Sequence, residues 1–79
     1  MGVVWVNPKD QTVHFPLDHG GQSVRAKVTW KVLEEGCGNR RLDATTLVHA
    51  FWAQEATIRA AALRKLQSGE EPVVRRGDL

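Results

Sequence analysis

Residues 43–69 read DATTLVHAFWAQEATIRAAALRKLQSG, and this stretch decides the fold of the chain. Asp43 is a good helix N-cap because its carboxylate can accept hydrogen bonds from the free amides of the first turn. Gly69 is a good terminator because glycine adopts the left-handed conformation at little cost. No glycine or proline lies between these ends, and alanine, the best helix former, is abundant. The stretch therefore predicts one long helix.

The apolar residues of this helix recur with helical spacing, which predicts that one side packs on a core. The stripe consists of Leu47, Phe51, Ile58, Ala62 and Leu66, with Val48, Trp52 and Leu63 on its flank. At ~1.5 Å rise per residue the helix would be about 40 Å long, whereas a domain of this size is only ~26 Å across. We therefore expect one end to project or to be covered by a partner.

The segments before this helix alternate as β-strands do. Val3–Val6 and Thr12–Leu17 are β-branched and aromatic, and Ser23–Thr29 alternates apolar residues with Arg25 and Lys27 on the opposite, outward side. The turn at 18–21 joins the second and third segments. Pro16 has no amide hydrogen, which predicts an edge strand or a strand that ends there.

Three further features complete the predicted fold. Thr29 can cap a short helix over Trp30–Glu35, and Pro72–Arg76 can return as a last strand. We therefore predict a single α+β domain over residues 1–79: a small antiparallel sheet of three to four strands packed against one long C-terminal helix, plus one short helix. The predicted core consists of Trp5, Phe15, Val24, Val28, Leu33, Leu47, Phe51, Ile58 and Leu66.

Composition narrows the class of protein further. The 79 residues carry a net charge of +2 and one cysteine, Cys37. A lone cysteine suits a reducing compartment and provides no disulfide framework. We expect no secretory signal, because Met1–Val6 is too short for an apolar leader region and lacks preceding basic residues, and no apolar run approaches the ~20 residues of a membrane span. We therefore expect a cytoplasmic protein without membrane attachment and without a cofactor.

Three blocks of sequence carry a family resemblance. The first is Val24–Leu33, a strand that runs into a short helix. The second is AFWAQEATI at 50–58, followed by Ala62, Lys65 and Gly69, and the third is the end of the chain, Gly77–Leu79. Together they cover most of residues 13–79. On these blocks the chain resembles the small bacterial domain-of-unknown-function family 1488, whose members carry Phe-x-x-Asn-Arg-x-x-Ile in the helix and finish near Asp-Phe.

The chain departs from this family pattern at two places. Gln54-Glu55 stands where the family favours Asn-Arg, and Leu66 stands where Tyr is common. If the family's Arg served a shared ligand, Glu55 would reverse the charge there. The resemblance implies an α+β fold and a bacterial, cytosolic protein of unknown function, and it implies no reaction.

Catalytic and metal chemistry have little support in the sequence. Cys37 lies in a Gly-Cys-Gly loop, and no spacing ties His14, His19 or His49 to it as a base. The same histidines lack the close ligand pairs typical of zinc sites. We therefore expect no catalytic, cofactor-binding or metal-binding residue, and an enzyme that uses Cys37 is the weakest of the alternatives.

Binding has more support. Glu55 and Arg59 are four residues apart in the order that favours a helix ion pair, and Trp52 and Leu63 lie on the same flank. These four residues form a candidate interaction surface, because exposed tryptophan is a typical interface anchor. The preferred hypothesis is a non-catalytic interaction module that binds an unknown protein or forms a homodimer.

Nucleic-acid binding is the alternative hypothesis. Arg25, Lys27, Arg75 and Arg76 could form a basic patch that contacts phosphates. Single-strand recognition usually adds aromatic side chains, and the outward strand positions are predicted to carry none. A solvated charged face is therefore the preferred interpretation of these four residues.

Overall fold

The computed structural model describes residues 4–36 and 43–78, which form one α+β unit and confirm the predicted fold class. Four strands form one sheet in the order β1-β2-β3-β4, and three helices accompany it. In chain order the elements are β1 Trp5–Asn7, β2 Thr12–His19, β3 Gln22–Thr29, α1 Trp30–Gly36, α2 Ala44–Ala53, α3 Glu55–Gln67, β4 Val73–Val74 and a final 3-10 turn, Arg76–Asp78.

The β2–β3 hairpin is the largest part of the sheet. Its strands pair over their full length, from Thr12 opposite Thr29 to His19 opposite Gln22. Gly20 and Gly21 form the two-residue loop with φ of 60° and 80°, as a primed turn between twisted strands requires. The turn predicted at 18–21 is thereby confirmed.

The prediction of an antiparallel sheet is wrong for the last strand. β1, β2 and β3 pair antiparallel, but β4 runs parallel to β3, with Val74 opposite Val28. The chain leaves β3, crosses one face of the sheet through the helices and returns from the starting end, which is the connection a parallel pair needs. β4 is also shorter than predicted, since only Val73–Val74 pair.

The prediction of one long helix is also wrong, because the helix is broken at Gln54. The backbone amide of Gln54, at φ −117°, bonds to the carbonyl of Phe51 (3.0 Å), and its side-chain amide donates to the carbonyl of Ala50 (3.4 Å). The break allows α2 to pack on β1 and β2 while α3 packs on β2, β3 and β4.

Both predicted ends of the helical stretch are confirmed. A carboxylate oxygen of Asp43 accepts hydrogen bonds from the amide of Thr46 (2.8 Å) and from its hydroxyl (2.7 Å). At the other end Gly69 has φ 80°, its amide bonds to Leu66 and the amide of Glu70 bonds to Lys65. These two bonds form the Schellman motif, which satisfies the last carbonyls of α3.

The core lies between the helices and one face of the sheet. Six of the predicted core residues are buried: Phe15, Val28, Leu33, Leu47, Phe51 and Ile58. Leu66 is half-buried and packs against the core, and Val24 is half-buried. The prediction that Trp5 belongs to the core is wrong. Trp5 is 38% exposed, because its side chain lies on the opposite face of the sheet, against His14.

Pro16 lies inside β2, which is an inner strand, so the prediction that β2 would be an edge strand or would end at Pro16 is wrong. His19 and Gln22 close the two-residue loop as a hydrogen-bonded pair, and such pairs recur at every second residue of β2. The even-numbered residues between them therefore point their backbone N–H and C=O groups away from β3. Pro16 therefore costs the β2–β3 ladder no bond. β1 begins at Trp5, opposite His14, and the carbonyl of Pro16 instead accepts a hydrogen bond from Arg59 of α3.

Phe51 provides the first test of this packing. Its ring is fully buried and lies 4.9 Å from that of Phe15, so Phe51→Ala should cost about 3–5 kcal/mol of unfolding free energy. A domain of this size has only about 4–12 kcal/mol to lose. Urea unfolding followed by circular dichroism measures the effect, with Leu63→Ala as a half-buried control. An unchanged midpoint for Phe51→Ala would refute the core assignment.

Gly69 provides a test of the helix end. Because its backbone is left-handed (φ 80°), Gly69→Ala should lower the free energy of unfolding by about 1–2 kcal/mol. Gly77→Ala is the matched control, because an added methyl group there meets nothing within 4 Å and Gly77 is not at positive φ. Equal unfolding midpoints for the two variants would show that the Schellman ending contributes little.

Candidate functional site

The sheet has two faces with different neighbours. On the inner face Val13, Phe15 and Leu17 of β2 are buried against the helices. On the outer face the alternate residues of the same strand lie beside Trp5 of β1 and Arg25 and Lys27 of β3. The prediction that Arg25 and Lys27 point outward is confirmed. The prediction that outward strand positions carry no aromatic residue is wrong, because Trp5 is one.

Trp5 and His14 form a stacked pair on the outer face. Their ring centroids are 4.1 Å apart and the ring planes are inclined by 21°. The two residues are cross-strand neighbours, which places their side chains within stacking distance. The guanidinium of Arg25 lies 5.9 Å from the centroid of the Trp5 ring, near the limit of a cation–π contact. The outer face thus combines an exposed indole with a cation.

His14 is 5% exposed, and neither ring nitrogen has a hydrogen-bond partner among the described residues. Buried polar atoms are normally paired, and an unpaired one costs ~1–3 kcal/mol. Burial lowers the pKa of His14 below its ordinary 6.5, and the charge of Lys27 lowers it further, while Asp10 opposes the change and Arg25 adds to it. His14 is therefore a neutral, buried imidazole with unused hydrogen-bonding capacity.

Lys27 and Asp10 lie at the margin of this cluster. The ammonium of Lys27 is 3.7 Å from the carboxylate of Asp10, and both side chains are more than a third exposed. An exposed pair at that distance contributes little. Asp10 also accepts a hydrogen bond from the hydroxyl of Thr12 (2.6 Å), which is the main reason that its pKa is lowered.

The structure divides the four residues of the predicted basic patch. Arg25 and Lys27 lie side by side on β3, on the outer face. Arg75 follows β4 and is exposed, but Arg76 pairs with Glu35 of α1 at 2.8 Å. The cationic part of the outer face is therefore Arg25 and Lys27, and Arg76 is held against α1.

The predicted interaction surface lies where α2 meets α3, on the helical side of the domain. We call Trp52, Glu55, Arg59 and Leu63 the Trp52 surface. Trp52 is 51% exposed, and its ring meets the buried ring of Phe51 edge-on, with centroids 5.1 Å apart. Leu63 is half-buried. The surface thus presents one large exposed aromatic side chain directly beside the core.

Arg59 holds the polar part of this surface in place. Its Nε donates to the carboxylate of Glu55 (2.7 Å), which confirms the predicted ion pair, and its Nη1 donates to the carbonyl of Pro16. The guanidinium also lies 5.6 Å and 5.9 Å from the ring centroids of Phe15 and Phe51. Arg59 therefore connects α3 to β2 and keeps Glu55 in a defined position.

A second polar cluster connects the end of the chain to α3. The ammonium of Lys65 contacts the carboxylate of Asp78 (2.8 Å) and the carbonyl of Val73 (2.9 Å). Hydrogen bonds from Lys65 and from the amide of Arg75 lower the pKa of Asp78. These charges satisfy one another, so the cluster explains how β4 is held in place and offers no unpaired group.

The described part of the chain contains no candidate metal site and no helix that could span a membrane. Over residues 4–36 and 43–78, no three metal-ligating side chains cluster. In the same residues, no helix combines the length and apolarity needed to cross a bilayer. His19 and His49 are exposed. Cys37 lies outside the described residues, so the prediction that it is not catalytic stays a prediction.

Comparison with known proteins identifies no relative. No family model, no curated protein and no solved structure matches the chain. The resemblance to family 1488 therefore stays a prediction, and the candidate surfaces stand on geometry alone.

The Trp5–His14 pair is the feature that sequence reasoning missed. The alternation of β2 places His14 on the face opposite Val13 and Phe15, as the spacing of these residues indicates. What the sequence did not show is the register of β1, which sets Trp5 opposite His14. A three-residue strand is too short for its own alternation to indicate which face is buried.

The buried imidazole predicts a pH dependence of stability. Because the pKa of His14 is lowered in the folded state, the unfolded chain binds more protons, and stability should fall as the pH drops below about 6.5. The decline is at most ~1.4 kcal/mol per pH unit for one proton. Urea unfolding between about pH 7 and pH 5 measures this decline in stability. Carboxylates such as Asp78 change the stability mainly near and below their ordinary pKa of 3.8, which lies outside this pH range.

Two variants separate His14 from the other histidines. His14→Phe keeps an aromatic ring beneath Trp5 and should flatten the decline in stability, whereas His49→Gln, at an exposed position, should retain it. A decline of the same size in His14→Phe would assign the effect to other groups.

Proposed function

We propose that this domain is a non-catalytic interaction module that associates with a second copy of itself through the Trp52 surface. The observation that carries the proposal is the 51% exposure of Trp52 beside the core residue Phe51. Leaving a large indole in water forgoes the ~1.5–3 kcal/mol that burying a large side chain contributes. Tryptophan is enriched among the residues that contribute most to the stability of interfaces.

The surroundings of Trp52 support an interface. Val48, one helical turn before Trp52, and Leu63, one turn after Arg59, are both half-buried and extend the apolar area. Glu55 and Arg59 form a polar pair between them that is already ordered by the bonds of Arg59 to Pro16 and to Glu55. Ordered side chains lose little entropy on binding, which favours association.

A second copy suits this surface for two reasons. The paired charges of Glu55 and Arg59 cancel, so two such surfaces meet without net repulsion. Two-fold homodimers are also the commonest soluble oligomers, and they require one self-complementary patch. A different protein partner at the same surface is the competing possibility.

The proposal also includes the expected bacterial, cytoplasmic origin of the protein and the absence of catalysis by Cys37. A bacterial, cytoplasmic protein is supported by the single cysteine and by the resemblance to family 1488. An enzyme built on Cys37 would need a thiol of lowered pKa, and a slow alkylation rate at neutral pH would contradict it.

Sedimentation equilibrium over micromolar to near-millimolar concentrations tests self-association. We expect a concentration-dependent dimer, and we expect Trp52→Ala to weaken it about 30-fold or more, which corresponds to the ~2 kcal/mol of an interface hot spot. Trp5→Phe, on the other face of the sheet, should leave dimerisation unchanged. Circular dichroism establishes that both variants are folded.

Two results would overturn the proposal. One is a wild-type chain that stays monomeric over the whole concentration range. The other is a Trp52→Ala variant that dimerises as tightly as the wild type, which would place the interface elsewhere.

A further inference from the structure

The outer face of the sheet carries a second exposed aromatic residue, Trp5, in a setting different from that of Trp52. One side of its indole is stacked on His14 at 4.1 Å, and the residue is 38% exposed. An indole held flat from beneath and open to solvent is a preformed stacking platform, since its orientation is already set by the strand pairing.

Two cations lie beside this platform. Among residues 4–36 and 43–78, no carboxylate lies within salt-bridge distance of Arg25, and its guanidinium is 5.9 Å from the Trp5 ring. Lys27, two residues along the same strand, has only the loose contact with Asp10 at 3.7 Å. Both cations are therefore available to an anion that approaches Trp5.

His14 supports the platform from beneath. It is 95% buried, since only 5% is exposed, and both ring nitrogens are unpartnered among the described residues. Trp5 covers its ring on one side. The imidazole is thus enclosed in the sheet surface, and its contribution to the site is to hold the indole in place.

We propose that Trp5, His14, Arg25 and Lys27 form a binding site for single-stranded nucleic acid on the outer sheet face. One base stacks on the face of Trp5 that His14 does not cover, and its phosphates contact Arg25 and Lys27, while His14 supports the indole from beneath. Aromatic stacking with adjacent cations on an open sheet is the chemistry that single-strand recognition uses. This site is separate from the Trp52 surface, because the two lie on opposite faces of the sheet.

The stacking platform favours a nucleic acid over other polyanions. Duplex DNA keeps its bases stacked inside and offers Trp5 no base face, and an acidic peptide or an anionic lipid surface has no planar ring to stack. These ligands would depend on Arg25 and Lys27 alone. A dependence on the aromatic ring of Trp5 therefore distinguishes the proposed ligand from them.

Fluorescence anisotropy with short labelled oligothymidylate and oligouridylate, about ten nucleotides long, tests the site. We expect binding at low salt with a slope of log K against log salt near −1.4, which is the value for about two phosphate contacts to a single strand. Arg25→Ala should reduce the slope to about −0.7. Trp5→Ala should weaken binding by about fivefold to 100-fold, the equivalent of one lost stacked base.

Two matched variants keep this test independent of folding and of dimerisation. Trp5→Phe preserves an aromatic ring and should retain most of the affinity, so a loss in Trp5→Ala alone identifies stacking. Trp52→Ala should bind the oligonucleotide as the wild type does, even where it abolishes self-association. Failure of one proposal is thereby distinguishable from failure of the other.

Three outcomes would overturn the inference. The first is no anisotropy change at the lowest salt concentration. The second is equal affinity of wild type and of folded Trp5→Ala. The third is equal or tighter binding of duplex DNA, of an acidic peptide or of anionic vesicles, which would assign the outer face to unspecific electrostatics or to a different ligand.

Discussion

The packing of Phe15 against Phe51 is the contact on which the rest of the structure depends. The two rings lie 4.9 Å apart, and both are buried. Phe15 belongs to the central hairpin and Phe51 to α2, so this contact joins the sheet to the helical layer. Arg59 of α3 lies over both rings and bonds to the backbone of β2, which brings the third element to the same point. The central hairpin is thus joined at one place to two consecutive helices that are distant from it in sequence.

This arrangement determines the two surfaces that remain available for binding. Because Phe51 points into the core, its neighbour Trp52 is turned outward along α2. Because Phe15 points into the core, its neighbour His14 is turned to the outer face, where Trp5 covers it. Each exposed tryptophan therefore lies next to the central contact in the structure, on opposite sides of the sheet. Our two proposals address these two positions.

Several parts of the fold were predictable because they depend on neighbouring residues. Asp43 caps α2 through Thr46, Gly69 ends α3, and Gly20-Gly21 forms the hairpin loop. The ion pair of Glu55 with Arg59 follows from their helical spacing. In each case the bonding partners lie within a few residues, so sequence spacing contains the necessary geometry.

The features that were predicted wrongly depend on distant partners. The break at Gln54 lets α2 pack on β1 and β2 while α3 packs on β2, β3 and β4, so it serves contacts with strands that are mostly distant in sequence. The parallel direction of β4 follows from the path of the chain across the helical layer. Pro16 is accommodated inside β2 because its missing amide faces away from β3 and because Arg59 takes the free carbonyl.

The candidate sites, like the fold, were predictable where they depend on neighbouring residues and not where they depend on distant ones. From the sequence alone, Trp52, Glu55, Arg59 and Leu63 could be placed on one helix flank, and Arg25 and Lys27 on the outward side of a strand. The sequence could not show that Trp5 leaves the core and stacks on His14, because a three-residue strand carries no periodicity of its own and its register is set by pairing with β2. Local patterns therefore determined which residues form helices, turns and ion pairs. Only the tertiary structure decided which aromatic side chains remain exposed, because burial depends on contacts between segments that are far apart along the chain.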